Sequence, residues 1–341
     1  MNDTFLKACK GEPVPYTPVW IMRQAGRYMK EYREVREQVD FLTLCKTPEL
    51  AAKVTLQPVD ILGVDAAILF SDILIPVEAM GMDLHFSEKH GPVLKEPIRN
   101  KSLIEKLAVP DPEDDMPFVA ETIKILRREL KVPLIGFSGA PFTLATYMVE
   151  GGGSKNFLHT KKLMYQNHGL FKELMDKITD TVISYLRAQI RAGAQCVQIF
   201  DTWAGVLAPD DFKAYALPYV KRAINELKGE GVPIIYFVNG CAGLLKDMKG
   251  SGAAVIGIDW RIDLSEAIKK LGKKFSVQGN LDPLALFLPE EELKEKLQDI
   301  LFKGESARGH IFNLGHGVLP ETPVEKVKFL VDTVHELSKK K

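Results

Sequence analysis

Short apolar runs alternate with longer amphipathic stretches along nearly the whole chain. The short runs are rich in β-branched and aromatic residues, which is typical of buried strands, and the longer stretches repeat their apolar positions at helical spacing. The predicted strands cover residues 19–22, 66–70, 133–137, 196–200, 233–238, 254–258, 275–277 and 310–313. Strands that alternate with helices in this way predict an α/β protein with a closed (β/α)8 TIM barrel, and a six-stranded doubly wound sheet is the main alternative.

Proline residues mark the starts of several predicted helices. Pro48, Pro209 and Pro323 each stand at the beginning of an amphipathic stretch, where proline at the first helical position costs no hydrogen bond. Residues 161–192 are long enough for one extended helix or for two shorter helices. The basic C-terminal tail 338–341 is expected to be a frayed helix end.

Two insertions interrupt the alternation, at residues 75–112 and at residues 151–155. The first insertion contains an alternating segment at 83–86, which predicts a hairpin after the second barrel strand, and its His90 is expected to be exposed. The second contains three consecutive glycines, which fit a hinge for a lid better than a phosphate loop because the spacing of that motif is missing. No linker divides the chain, so residues 1–341 are predicted to form a single barrel domain.

The composition limits the partners of the chain. Of its 341 residues 46% are hydrophobic and 26% charged, and 45 basic residues balance 45 acidic ones to a formal net charge of zero. This balance argues against general binding to nucleic acid or to a membrane surface, although a few arginines in a cleft could still bind an anionic small molecule. The four cysteines are widely spaced, and the N-terminus has no apolar targeting stretch. We therefore expect reduced thiols and a cytoplasmic protein.

Polar residues follow most of the predicted strands, where the active site of a TIM barrel forms. Arg23 and Arg27 follow the first strand at a spacing that would place both on one face if the segment were helical. A guanidinium group binds a carboxylate through two hydrogen bonds, whereas lysine acts as a point charge. The alternative is a pair of exposed arginines in salt bridges with Glu31 or Glu34. Gly26 between them favours a turn that wraps a ligand.

Three aspartates occupy equivalent positions after strands. Asp72 could accept converging N–H donors from a ligand, or it could cap the next helix, and the sequence does not decide between these roles. Asp201 and Asp259 follow two other strands, so the three carboxylates could instead hold a divalent metal ion. No metal-binding motif of known spacing supports that alternative. His316 lies between two glycines after the last strand, and we expect a functional role because glycines allow the main chain to approach a ligand.

Four segments together resemble the uroporphyrinogen decarboxylase family, from about residue 15 to the final helix. Residues 18–28 read Pro-Val-Trp-Ile-Met-Arg-Gln-Ala-Gly-Arg-Tyr, and residues 70–74 read Phe-Ser-Asp-Ile-Leu. Residues 139–144 read Gly-Ala-Pro-Phe-Thr-Leu and lead into Tyr-Met-Val-Glu-Gly-Gly-Gly-Ser at 147–154. Residues 313–317 read Asn-Leu-Gly-His-Gly. The first segment is the most specific, and the last would be weak on its own.

The resemblance implies a carboxy-lyase of haem and tetrapyrrole biosynthesis that converts uroporphyrinogen III to coproporphyrinogen III. It further implies a homodimer of barrels without a metal or an organic cofactor. Asp72 would bind the pyrrole N–H groups and stabilise positive charge, and Arg23 and Arg27 would hold carboxylates of the substrate. The remaining substrate-binding residues that the resemblance implies are Gln24, Ala25, Gly26, Tyr147, Thr202 and His316. Thr202 departs from the family's usual serine but retains the hydroxyl group.

Two other functions remain possible from the sequence. Methyltransferases with similar barrels use a corrinoid or a thiol and bind zinc through a His-x-Cys pair and a later cysteine. Here the corresponding positions read Asn239-Gly240-Cys241 and Gly315-His316-Gly317, which do not supply those ligands. A porphyrin carrier without enzymatic activity would need the arginines and an apolar cleft, but no buried acid under the pyrrole nitrogens.

Overall fold

The computed structural model of the protein describes residues 1–87 and 91–340. His90 and Lys341, which belong to the predicted exposed loop and the predicted frayed tail, lie outside these residues. The strands are β1 (Ala67–Ile68), β2 (Leu84–Ser87), β3 (Gly91–Leu94), β4 (Leu134–Gly139), β5 (Cys196–Asp201), β6 (Ile234–Val238), β7 (Val255–Gly257), β8 (Ser276–Gln278) and β9 (Gly309–Ile311).

A closed parallel barrel forms the centre of the fold. Strands β1 and β4 to β9 pair in chain order, and every pairing is parallel. The segment at Val19 closes the ring, because it forms a parallel bridge to Phe312 and its carbonyl accepts a 2.7 Å hydrogen bond from the N–H of Asp65. The predicted TIM barrel is therefore confirmed and the doubly wound sheet is wrong. The first predicted strand is reduced to this single bridge.

Helices connect the strands and cover the outside of the barrel. The α-helices are α1 (Thr4–Lys10), α2 (Lys30–Arg36), α3 (Phe41–Lys46), α4 (Pro48–Leu62), α5 (Ile75–Ala79), α6 (Lys101–Lys106), α7 (Pro112–Asp115), α8 (Pro117–Glu129), α9 (Pro141–Glu150), α10 (Leu158–Gln166), α11 (His168–Ala192), α12 (Pro209–Tyr215), α13 (Leu217–Leu227), α14 (Leu245–Met248), α15 (Leu264–Leu271), α16 (Glu290–Gly304) and α17 (Val324–Ser338). Short 3-10 helices cover Ala204–Val206, Lys228–Glu230, Cys241–Gly243, Lys249–Ser251 and Pro283–Phe287.

The predicted helix starts are close to the observed ones. Pro48 and Pro209 begin α4 and α12, whereas Pro323 directly precedes α17. The long stretch at 161–192 forms two helices, α10 and α11, which are separated by Asn167. The Asn167 side chain caps α11 by accepting a 3.2 Å hydrogen bond from the N–H of Leu170.

The two insertions contact each other beside the barrel. Strands β2 and β3 pair antiparallel, and Val93 of β3 bridges to Gly152. The N–H of Leu94 donates a 2.9 Å hydrogen bond to the carbonyl of Gly151. Gly151 has φ +85°, and a Cβ atom there would lie 2.7 Å from Cγ of Pro97. The glycine run therefore provides close contact between the β2–β3 pair and the end of α9.

Burial of large apolar side chains accounts for the packing of the helices on the barrel. Trp20, Phe142, Phe171, Phe212 and Phe312 are among the largest side chains that are fully buried. All four cysteines are buried and unpaired in disulfides. Within the described residues, no helix is long and apolar enough to span a membrane.

A buried carboxylate holds the first and last elements together at the amino-terminal side of the barrel. Asp65 is 2% exposed, and its Oδ2 accepts a 2.8 Å hydrogen bond from the N–H of Val19. The Tyr16 hydroxyl donates to Oδ1 at 2.8 Å, and Nε2 of His335 in α17 lies 2.7 Å from Oδ2. A buried charge needs several such partners. Asp65 therefore connects the segment that closes the barrel to the final helix.

We expect Asp65→Ala to lower the free energy of unfolding by about 3 kcal/mol, because the buried Val19 N–H and the Tyr16 hydroxyl would lose their acceptor. Urea denaturation followed by circular dichroism measures this loss. The matched control is Asp60→Ala in α4, where the carboxylate is exposed and little change is expected. Equal stability of the two variants would contradict the assignment.

Candidate active site

The two arginines at the mouth of the barrel lie on an irregular turn. Residues 22–29 form turns and bends between the Val19 bridge and α2, so the prediction of a shared helical face is wrong and the segment is an irregular turn. Arg23 has a left-handed φ of +62°. Arg23 and Arg27 are exposed, and no ion pair joins either one to an acidic side chain among the described residues. The predicted salt bridges with Glu31 or Glu34 are therefore absent from this part of the chain.

The side chain of Gln24 holds this turn against the barrel. It is 1% exposed, its Oε1 accepts a 3.0 Å hydrogen bond from the N–H of Ile21, and its Nε2 donates to the carbonyl of Ala66 at 3.1 Å. The buried Tyr28 hydroxyl donates a 2.7 Å hydrogen bond to the Gln24 carbonyl. Ala25 and Gly26 are half-buried between these contacts. The amide of Gln24 is thus used within the protein.

Asp72 lies after β1 with one carboxylate oxygen engaged. Oδ1 accepts a 2.8 Å hydrogen bond from the N–H of Leu74, which precedes α5, so Asp72 closes a turn before this helix and does not cap it. No hydrogen bond to Oδ2 is found among the described residues. Burial raises the pKa of Asp72 to about 6, although the Leu74 N–H and the Arg23 charge oppose the shift. This carboxylate can still accept hydrogen bonds from a ligand.

His316 lies in the loop after β9, on the same side of the barrel. Its ring is 6.4 Å from the ring of Phe237 and 6.2 Å from that of Trp260, measured between centroids. Burial lowers its pKa to about 4, and the charges of Arg23 and Arg261 act in the same direction. The imidazole is therefore neutral near pH 7, and it is close enough to Arg23 to respond to its charge.

Tyr147 in α9 belongs to the same group of side chains. Its pKa is raised by burial and by the Asp72 carboxylate, and the Arg23 charge opposes the shift. Its ring lies 5.8 Å from the ring of Trp203, which follows Thr202 at the end of β5. Thr202 is half-buried. The structure thus brings Asp72, Tyr147 and His316 each into electrostatic range of Arg23. Thr202 lies beside Trp203 at the same end of the barrel.

The other two strand-end aspartates are used within the protein. Asp201 accepts hydrogen bonds from the hydroxyls of Thr143 at 2.7 Å and Tyr236 at 2.8 Å, and burial raises its pKa to about 6. Asp259 accepts from the N–H of Gly240 at 2.8 Å and from Arg261 at 2.9 Å.

The three aspartates therefore do not share one site. Among residues 1–87 and 91–340, no group of three or more His, Cys, Asp or Glu side chains is placed to hold a metal ion. Cys241 is buried, with its sulfur 3.4 Å from Oδ1 of Asp259.

Several residues at the mouth were not identified from the sequence. Arg261 stacks on the ring of Trp260 at 4.0 Å and pairs with buried Asp259. The Oδ1 atom of Asn313 accepts hydrogen bonds from the N–H groups of Met22 at 3.0 Å and Leu314 at 2.8 Å. An arginine shortly after a strand was a possible signal for Arg261. Asn313 begins the last of the four family-like segments, but its hydrogen bond to Met22 joins distant parts of the chain and had no local signal.

The glycines beside His316 approach protein atoms rather than leaving open space. A Cβ atom on Gly315 would lie 2.3 Å from the main-chain nitrogen of Trp260. A Cβ atom on Gly317 would lie 2.4 Å from Cδ of Arg23. The sequence analysis explained these glycines by the approach of a ligand to the main chain, whereas the close neighbours in the structure are Trp260 and Arg23.

Known proteins are similar to this chain over nearly its whole length. The family model described as uroporphyrinogen decarboxylase (URO-D) matches residues 1–337. The chain is 56% identical to "Uroporphyrinogen decarboxylase" of Carboxydothermus hydrogenoformans, with 99% of this chain and 97% of the relative covered. It is 54% identical to the protein of the same name from Geobacter sulfurreducens, with both chains fully covered.

A solved structure with a similar fold is a methyltransferase from Methanosarcina mazei. Its TM-score is 0.82 at 25% identity, with 98% of each chain covered. The similarity to this structure supports the TIM-barrel architecture. The family model matches nearly the whole chain, and two members of that family are 54–56% identical to it. The chain belongs to the uroporphyrinogen decarboxylase family.

Proposed function

We propose that this enzyme is a carboxy-lyase that converts the four acetate side chains of uroporphyrinogen III to methyl groups, which yields coproporphyrinogen III and CO2. The names of the relatives support the reaction. The observation that carries the mechanism is the poorly solvated Asp72 carboxylate, which has an oxygen available at the mouth of the barrel. A tetrapyrrole macrocycle offers several N–H donors that converge on such an acceptor.

The reaction needs an acceptor for the electron pair that the carboxylate leaves behind. Protonation of a pyrrole ring carbon supplies it, because the cation that forms is conjugated to the acetate arm. Loss of CO2 then gives an exocyclic methylene group. A proton added to the methylene carbon and a proton lost from the ring carbon give the methyl group. The pyrrole itself therefore supplies the electron acceptor, and the proposed reaction uses no metal or organic cofactor.

Asp72 would stabilise the cationic intermediate. A fixed anion in a poorly solvated site interacts more strongly with a developing positive charge than the same anion does in water. The raised pKa of Asp72 reports the free-energy cost of keeping this anion away from water before the substrate binds. Pyrrole N–H groups would replace the missing solvent. Asp72 is therefore our main catalytic candidate.

Arg23 and Arg27 would bind and orient carboxylates of the substrate, and both are also proposed as catalytic residues. Their exposed guanidinium groups have no acidic partner within the described chain, so their hydrogen bonds remain available. The turn through Gln24, Ala25 and Gly26 would form the wall beside them. Gln24 would act by holding this turn in place, because its side-chain amide and its main-chain N–H and carbonyl are all hydrogen-bonded within the protein.

His316, Tyr147 and Thr202 would complete the substrate pocket. His316 has a pKa of about 4, so it is a poor reservoir of protons near pH 7 and is better suited to donate a neutral N–H to a propionate. Arginine holds its proton even more firmly. The Tyr147 and Thr202 hydroxyls could bind further carboxylates at the same end of the barrel.

We also propose that the enzyme acts as a homodimer in the cytoplasm. The family resemblance is the main support for the dimer. Leu284 and Phe287, in the 3-10 helix after β8, are 61% and 47% exposed and offer apolar area for a second copy. Sedimentation equilibrium at micromolar concentration tests the proposed homodimer, and a measured mass of one chain would contradict it.

We expect Asp72→Asn to lower kcat by about 100-fold or more, because the amide cannot supply a negative charge to the intermediate. The change is nearly isosteric, so thermal unfolding should stay close to that of the parent enzyme. Stepwise carboxylate loss from reduced substrate, followed by chromatography of the oxidised products, measures the rate. Near-normal turnover in a folded variant would contradict the role of Asp72.

The same variant tests the pH dependence. Because the raised pKa keeps Asp72 protonated below about pH 6, kcat/KM of the parent should fall about tenfold per pH unit below that value. Asp201 also has a pKa of about 6. Loss of the acidic limb in Asp72→Asn would assign it to Asp72, whereas its persistence would point to Asp201.

Arg27→Lys should raise KM about tenfold, since an ammonium group cannot form the paired hydrogen bonds of a guanidinium group. Steady-state kinetics with uroporphyrinogen III measures the change. Thr202→Ser retains the hydroxyl and is the matched conservative variant, for which we expect almost no change. An unaltered KM in Arg27→Lys would argue against carboxylate binding through two hydrogen bonds.

A further inference from the structure

The conformation of Arg23 is unusual for a residue with a side chain. Its φ of +62° lies in the left-handed region, which costs a non-glycine residue roughly 1 kcal/mol or more. Its side chain is exposed and has no ion pair with another described residue. Neither local backbone preference nor an ion pair therefore explains the direction of the guanidinium group. Contacts with another part of the chain must hold the residue in place.

The segment after β9 holds the main chain directly before Arg23. The N–H of Met22 donates a 3.0 Å hydrogen bond to Oδ1 of Asn313, which is fully buried. The carbonyl of Met22 accepts a 2.9 Å hydrogen bond from the N–H of Val318. Both polar groups of Met22 are thus bound by residues on either side of Gly317. This arrangement fixes the position from which the Arg23 side chain begins.

The side chain of Arg23 then passes across Gly317. A Cβ atom on Gly317 would lie 2.4 Å from Cδ, 2.7 Å from Cγ and 3.0 Å from Nε of Arg23. These distances are too short for any side chain at position 317 while Arg23 keeps its place. The backbone of Gly317 lies outside the left-handed region. Its conformation would therefore accept alanine, and the space taken by Arg23 is the reason for glycine.

We propose that Gly317 is a positioning residue that directs the guanidinium group of Arg23 towards the substrate carboxylates. The inference rests on the proposed function of Arg23 and adds a determinant of substrate binding in the last loop of the barrel. Gly317 has no side chain of its own with which to bind the substrate. Because Gly317 has no Cβ atom, the aliphatic part of the Arg23 side chain can pack directly against its main chain.

Gly317→Ala should lower kcat/KM about tenfold or more, mainly through KM, because even a displacement of about 1 Å of a binding group is costly. Its thermal unfolding should stay close to that of the parent, since the exposed Arg23 side chain can move aside without opening the core. The matched control is Gly243→Ala in the 3-10 helix after β6, where an added Cβ meets no atom within 4 Å. That variant should behave like the parent.

A double-mutant cycle with Arg23→Ala separates positioning from a general disturbance of the loop. When the Arg23 side chain is absent, Gly317→Ala has nothing to displace, so the double variant should match Arg23→Ala in KM and kcat. Effects that add independently would overturn the proposal. If the parent enzyme is active and Gly317→Ala has the same KM as the parent, the proposal is overturned as well.

A crystal structure of Gly317→Ala gives a readout that does not depend on turnover. We expect Cδ and Nε of Arg23 to move by about 1 Å or more while the Met22 hydrogen bonds remain, since the added methyl group would otherwise overlap both atoms. An unmoved Arg23 would overturn the inference. If the parent enzyme failed to release CO2 from uroporphyrinogen, the proposed function would fail, and this structure would still decide whether Gly317 positions Arg23.

Discussion

The pairing between the N-terminal segment and the last strand is the interaction on which the rest of the structure depends. The N–H of Phe312 donates a 2.8 Å hydrogen bond to the carbonyl of Pro18, and the N–H of Asp65 continues the ladder to Val19. A barrel has no free sheet edge only while this seam is closed. The same seam extends through Met22 to the loop after β9, so barrel closure and placement of Arg23 share one set of hydrogen bonds.

The three aspartates that follow barrel strands show how equal positions acquire different roles. Asp201 uses both carboxylate oxygens for the hydroxyls of Thr143 and Tyr236, and Asp259 is bound by the Gly240 N–H and by Arg261. Asp72 accepts a hydrogen bond on one oxygen, from the Leu74 N–H, and no other is found within residues 1–87 and 91–340. The half-buried Asp72 carboxylate is therefore the least compensated by hydrogen bonds of the three. A carboxylate that is poorly solvated and has few hydrogen bonds in the free protein is a candidate for stabilising positive charge in a bound molecule.

The cationic groups at the mouth are arginines, whereas the histidine is neutral. Burial and the charges of Arg23 and Arg261 keep the pKa of His316 at about 4. Arginine retains its charge at every working pH, so the attraction for an anionic substrate would vary little near neutrality. The neutral imidazole can still donate one hydrogen bond. The arginines thus supply positive charge for binding the substrate, and His316 supplies a neutral hydrogen-bond donor for orienting it.

The sequence by itself determined the barrel and most of its mouth. The eight apolar runs, the irregular turn at Gly26 and the strand-end position of Asp72 all follow from local patterns, because strand burial and glycine preference act over a few residues. Only the tertiary structure decided that Gln24 is bonded to Ala66, that Asp201 and Asp259 are already occupied, and that Gly317 leaves room for Arg23. These contacts join residues far apart in the chain, and their geometry exists only once the barrel has closed.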